Sequence, residues 1–390
     1  VVTGAGGAVR PTPSPDGKKI AFVRRERTKS KLYVKDFTTG EERKIYDALD
    51  QDVQETWAVT GVYPNMDWSP DSKNIYFWAG GKIRRVDPAS GAVADVPFRI
   101  SDTRGVIEPP RPPVEVAPVQ FQTSMPRGVS TSPDGRSVVF ETMGKLWTKP
   151  AGGGSAKRLT SASTEMEGYP SYSRDGKSIV YVAWTDKGLG EIRVVGAGGG
   201  TPRKITQQAG HYARPRFSPD GKIIVFEKGQ GGGLTSPLMS DAPGVYRISS
   251  AGGAATRIAT GVGNPHFGST NDRVFLTEPG QNKRQLVSTD LIGEAKRAHA
   301  TGELATTYEV SPDGNHFAFR QNYEAFVMPM MPGTQEVSVS PSGGPLPVTK
   351  VSSGGADYIH WSGDGSVLHW ALGPTLYSAQ TAALFPNAPL

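Results

Sequence analysis

A tetrapeptide of the Ser-Pro-Asp-Gly type recurs eight times along this chain of 390 residues. It reads SPDG at 14–17, 132–135, 218–221 and 311–314, SPDS at 69–72, SRDG at 173–176, STND at 269–272 and SGDG at 362–365. The aspartates are Asp16, Asp71, Asp134, Asp175, Asp220, Asp272, Asp313 and Asp364, spaced 55, 63, 41, 45, 52, 41 and 51 residues apart. A period of roughly 40–50 residues means one supersecondary unit copied many times, which constrains the architecture before any other feature is weighed.

Each tetrapeptide lies between two short apolar segments, as in RPRFSPDGKIIVFEKG at 214–229. Proline fixes φ at the second position, aspartate bonds nearby backbone, and glycine takes positive φ without steric cost, so the unit predicts a hairpin turn between a first and a second strand. A third-strand column follows in KLYVKDF (31–37), KIRRVD (82–87), KLWTKP (145–150), EIRVVG (191–196), GVYRIS (244–249) and TLYSAQ (375–380). Glycine-rich turns and short fourth strands such as AKRLT (156–160), PRKIT (202–206) and ATRIAT (255–260) close several copies. Four antiparallel strands per copy make one propeller blade. No sustained 3.6-residue apolar stripe predicts a substantial helix. The pattern resembles the TolB-type, WD-like propeller repeat over essentially the whole chain, 1–390. The expected fold is an all-β propeller of about eight four-stranded blades, with seven blades, or six plus two from a neighbouring propeller, as the alternatives.

The chain opens with VVTG, which looks like the tail of a fourth strand, and TLYSAQ lacks one after it, so the N-terminal strand is expected to complete the last blade. The competing organisation rests on residues 98–127, where EPPRPPVEVAP is a stiff polyproline-like stretch. It is either a long loop on one face or a linker between two rings. Further insertions fall at 44–64 and 229–243, long enough to serve or cover something. The start at Val1 with no signal peptide implies a removed leader or a fragment.

Glycine (48) and proline (32) together make up about a fifth of the chain, which turn-dense β structure explains. Cysteine is absent, so disulfides, thiolate metal sites and cysteine nucleophiles are excluded; this fits an exported bacterial protein. No run of 18 apolar residues is present to span a membrane. Net charge is +6. The densest basic cluster, RRERTKSKLYVK at 24–35, falls on a predicted hairpin and reads as a solvated one, so no nucleic-acid partner is expected.

The chain carries no Gly-x-Ser-x-Gly elbow, phosphate loop, HxH pair or HExxH motif. GAGGG (196–200) and GQGGG (229–233) open no helix and read as turn glycines. One constellation remains. Aligned on the turn, the first strands place a polar residue at one position in every copy: Thr12, Asp67, Ser130, Ser171, Arg216, His266, Glu309 and His360. The first strand of a propeller is innermost, so these residues should ring the axial channel, with Arg216, His266, Glu309 and His360 from four consecutive copies as the candidate binding group. Two imidazoles and a carboxylate could hold a divalent metal or an anion, while a wet channel needs polar residues in any case. Arg216 disfavours a second cation nearby, so water or a loosely held anion is expected there. The next column, Pro13, Trp68, Thr131, Tyr172, Phe217, Phe267, Val310 and Trp361, should turn away and pack between blades.

QDVQETWAVTGVYPNMDWSPDSKNIYFWAGGKIRRVD, GHYARPRFSPDG and RVFLTEPG resemble the repeat region that precedes a metal-dependent amidohydrolase domain in large exported bacterial proteins. That resemblance implies a periplasmic or secreted propeller that gates or orients substrate, joined to or associated with a hydrolase domain holding a catalytic divalent metal, zinc, outside this segment. None of that domain's motif positions is present, so no catalytic residue, metal ligand or cofactor is assigned here, and this chain alone is expected to hydrolyse neither amide nor ester. The alternatives are a stand-alone TolB-like periplasmic interaction module, binding proteins on one face, and the propeller of a prolyl oligopeptidase-like peptidase.

Overall fold

The recurring turns close by one hydrogen-bond pattern in the computed structural model, which describes residues 7–26, 29–50, 63–107, 109–110, 114–229, 242–333, 336–344 and 346–385. At 218–221 the Gly221 N–H donates to the Ser218 carbonyl at 2.9 Å, with Gly221 at φ +72°. Ser218 Oγ donates to Asp220 Oδ1 at 2.7 Å and accepts the Ile223 N–H at 3.0 Å. Asp220 Oδ1 also accepts the Lys222 N–H at 3.1 Å. The Ser–Asp bond repeats at residues 14, 69, 132, 173, 311 and 362. The serine is therefore the hub of the turn, buried in most copies, and it ties the loop to the start of the second strand. Ser72 replaces glycine at φ +59°.

One copy departs from the sequence register. Phe267 pairs with Val274 as Phe217 pairs with Ile224, which puts Gly268 where Ser218 stands. Asp272 thus falls one place beyond the second half of the turn, level with Lys222. It is not an eighth turn aspartate.

All eight turns join first and second strands, and the third-strand column is third in every sheet it was read for. Regular helix among the described residues is confined to a single 3₁₀ turn, Thr381–Ala383. Among the described residues no helix is long and apolar enough to cross a membrane. The described residues divide into two compact units, one within 1–119 and one within 120–390.

The first unit holds two four-stranded antiparallel sheets, with first strands Val9–Pro13 and Met66–Trp68. They pack as neighbouring blades over Val23, Leu32, Trp68, Ile75 and Phe77. Trp68 Nε1–H donates to the Thr12 carbonyl across the seam at 2.9 Å. The basic cluster lies on the hairpin of the first sheet. Arg24 and Lys35 pair with Glu42 at 2.8 and 3.2 Å, and Lys31 with Glu26 at 2.5 Å, so much of its charge is spent locally.

The second unit holds six sheets. Their first strands are Arg127–Thr131, Met166–Tyr172, Tyr212–Phe217, Gly263–Phe267, Ala305–Val310 and Asp357–Trp361. Each packs on the next through a shared apolar layer: Val139, Ile179 and Tyr181 at the first seam, Val182, Ile224 and Phe226 at the second, and Val225, Val274 and Leu276 at the third. Phe275, Tyr308 and Phe317 fill the fourth, and Ala318, Val327, Ile359 and Leu368 the fifth. The sixth sheet then meets the first over Val129, Val138 and Ala371, with the Gly363 N–H donating to the Pro133 carbonyl at 3.0 Å. The ring closes after six blades. The propeller stands; the single ring of eight does not, because the seam that would admit two more blades is already filled.

Blades are not uniformly four-stranded. Val337–Ser338 adds a parallel fifth strand to the fourth sheet of the ring, and the sixth has three strands among the described residues. The VVTG segment proposed to complete it lies outside the described residues, as do 51–62 and 230–241 of the two insertions and most of the GQGGG loop. The first described strand, Val9–Pro13, belongs to the first sheet. In the segment 98–126, the described residues form no strand or helix.

Candidate functional site

The aligned polar column comes together in the ring. Ser130, Ser171, Arg216, His266, Glu309 and His360 line one axial cavity of about 130 Å³. Asp67 does not join them: it sits on the second sheet of the first unit, where its Oδ1 accepts the Trp68 N–H at 2.8 Å.

A backbone device sets the column. In five of the six innermost strands a bulge residue two places earlier adopts positive φ: Gly128 (+55°), Tyr169 (+54°), Arg214 (+48°), Asn264 (+54°) and Tyr358 (+53°). Strand pairing shifts register at these points. Such a bulge re-aims the residues beside it, here towards the axis. Four of the five are not glycine, so the strain is held by the surrounding ring.

The column divides into two halves. His266 and His360 are used in the same way. The Nδ1–H of His266 donates to the Asn264 carbonyl at 2.9 Å, and its Nε2 accepts the Val310 N–H of the next blade at 2.9 Å. His360 Nδ1–H donates to the Tyr358 carbonyl at 2.6 Å, and Nε2 accepts the Thr131 N–H at 2.8 Å. A carbonyl can only accept and an amide can only donate, so both rings are fixed as the neutral Nδ1–H tautomer. Burial pushes the pKa of His360 down to about 3. Some of its surface opens on the cavity, but protein encloses it on all sides, and enclosure governs the shift. Glu309 Oε1 accepts from Asn264 Nδ2 at 3.1 Å, and Oε2 lies 4.0 Å from His266 Nδ1. With both nitrogens engaged, neither histidine has a lone pair left for a metal, and among the described residues no cluster of three or more metal-ligating side chains occurs.

The other half is open. Ser130, Ser171 and Arg216 stand on three consecutive blades. Their side chains form no hydrogen bond or salt bridge with another described residue. Ser171 is 6% exposed.

Arg174 escaped the sequence reading. It replaces the turn proline in SRDG and lines the same cavity. Its Nη2 donates to the Gly268 carbonyl at 2.8 Å and its Nη1 to the Pro312 carbonyl at 3.5 Å, so one side chain from the second blade bridges to the fourth and fifth at the turn face. Burial lowers its pKa from the usual guanidinium value. The missing proline was the available signal. The adjoining column meets its expectation only in part: Phe217, Phe267, Val310 and Trp361 join the seams but also line the axial cavity, and Trp361 Nε1–H donates to the Glu309 carbonyl at 3.1 Å. This repeats the Trp68–Thr12 bond of the first unit.

The two faces of the ring differ. One carries the charged turns. The opposite face, where second strands turn into third strands, exposes Met143, Met166, Tyr169, Leu304, Tyr323 and Tyr358. On the turn face Ile292 and Met331 are exposed singly.

The sequence profile described as "TolB beta propeller domain" matches residues 130–330, just over half of the chain. Among solved structures, TolB from Acinetobacter baumannii is similar at 18% identity and a TM-score of 0.37, over 72% of this chain and 63% of that one. The chain thus spans less than two thirds of that relative's length. A gluconolactonase from Xanthomonas campestris is similar at 15% identity and a TM-score of 0.48, over 66% of this chain and 86% of that one. The tricorn protease is similar at 12% identity and a TM-score of 0.46, over 96% of this chain and 42% of that one. No curated protein matches the chain.

Proposed function

Since the chain belongs to the TolB beta propeller domain family, we propose that it is a binding scaffold whose ring, residues 120–390, engages a protein partner through the face opposite the Ser-Pro-Asp-Gly turns. The observation that carries this is the contrast in apolar exposure: three tyrosines, two methionines and a leucine on one side, against Ile292 and Met331 singly on the other. Aromatic side chains and methionine are enriched at protein interfaces, where they bring large contact area. Catalysis is not part of the reading, because the polar column is consumed by seam bonds in one half and lacks a nucleophile–base pair in the other. The partner is a hydrolase domain joined to or associated with the propeller, as the amidohydrolase resemblance implies, or a separate protein; both would use this face. Residues 98–127 are read as the link between the two units. An exported location, periplasmic or secreted, accompanies the proposal, and the absence of cysteine leaves no thiol to mispair there.

Photo-crosslinking in intact producing cells tests it. A benzoylphenylalanine placed at Tyr323 or Tyr358 is expected to give one dominant adduct, lost on Tyr169→Ser substitution, while the same probe at Ile292 gives none. Equal labelling from both faces would count against the assignment, and mass spectrometry of the adduct distinguishes a hydrolase from another partner.

A further inference from the structure

We propose that the axial cavity of the ring is a carboxylate-binding site, in which Arg216 supplies the charge and Ser130 and Ser171 supply hydroxyl donors. Polar side chains that line a cavity without a protein partner are donors free for a ligand. Here three such side chains stand on adjacent blades and line one cavity: Ser171 is almost fully buried, and Ser130 and Arg216 are half-buried.

Charge selects the ligand class. The charged side chains lining the cavity are Arg216, Arg174 and Glu309. His266 and His360 are neutral in the tautomer their bonds require. The lining therefore carries a net charge of +1, which one monoanion balances. Glu309 in the same belt disfavours a dianion, so a carboxylate is preferred over phosphate. Size agrees: a cavity of about 130 Å³ holds several waters, hence a carboxylate with a short aliphatic stem. Arginine presents a planar fork that matches a carboxylate in two parallel hydrogen bonds. Arg174 spans the turn-face mouth through Gly268 and Pro312, which leaves the mouth framed by the bulge residues as the way in.

The carboxylate is either a free small acid or an acidic side chain or C-terminus of a peptide. Titration calorimetry on the full 390-residue chain in low-chloride buffer separates these, with sodium propionate, the peptide acetyl-Gly-Asp-amide, propionamide and inorganic phosphate as probes. Propionate or the peptide is expected to bind at one site per chain, and propionamide is not. The tighter of the two binders identifies the source. Arg216→Gln should weaken binding at least tenfold and Ser171→Ala severalfold, with unchanged circular dichroism. If Arg216→Gln does not fold, the Ser130→Ala and Ser171→Ala pair carries the test, with the double variant weaker than either. Absence of saturable heat with both carboxylates, phosphate binding tighter than propionate, or unchanged affinity in the variants would overturn the proposal. No protein partner enters this experiment, so its outcome is separate from that of the docking face.

Discussion

His266 and His360 occupy equivalent places on the fourth and sixth blades, and each joins its blade to the next through a backbone N–H. Removing either ring leaves that N–H without its protein partner. His266→Ala and His360→Ala are each expected to cost about 1–3 kcal/mol, read from urea midpoints. Burial of the histidines sets a pH dependence. Burial holds His360 near a pKa of about 3 and His299, on the strand Arg297–Gly302 of the His266 blade, near about 4, whereas an unfolded histidine titrates near about 6.5. Between those values the unfolded chain binds more protons, so stability is full above about pH 6.5 and falls as the pH drops towards 4. Each histidine steepens the fall by about 1.4 kcal/mol per pH unit. A melting temperature flat from pH 7 to pH 4.5 would contradict this. The polar column itself was legible, since alternation and the turn fix which residue faces the axis. Which half was free was not legible, because that depends on amides of the neighbouring blade, and sequence spacing does not report seam bonds. Asp67 shows the same limit: its register was right and its ring was wrong.

At the scale of the element, the turn sequence specifies the first hairpin of every blade. Proline and glycine were read correctly as conformational choices, but the serine was read only as a turn residue. Its Oγ binds both the turn aspartate and the second strand, and that role appears only once the hairpin is closed. Ser218→Ala is expected to cost about 1–2 kcal/mol by freeing two partners. Gly221→Ala meets no atom within 4 Å of the added Cβ, so its cost of about 1 kcal/mol comes from φ +72° alone. A thermal-shift comparison in which Gly221→Ala is neutral would show that the positive φ is not enforced. The STND copy misled because its letters imitate the motif one residue out of register. Strand pairing decides the register there, through Phe267 and Val274.

At the scale of the molecule, the repeat made the propeller legible and left the number of blades per ring open. Each blade carries the same signals whichever neighbour it meets, so eight copies suit one ring or a six-plus-two split equally well. What settles the ring is the seam between the last and first sheets, where Thr131 meets His360 and Pro133 meets Gly363, residues more than two hundred positions apart. The central claim is that these six blades close upon themselves without the first two. Expression of residues 120–390 alone tests it most directly, by chemical denaturation followed through tryptophan fluorescence and circular dichroism. A six-bladed closed ring predicts one cooperative transition, coincident for both probes, and its loss when residues 357–385 are also removed. A fragment 120–390 that stays unfolded until residues 1–119 are restored would contradict it.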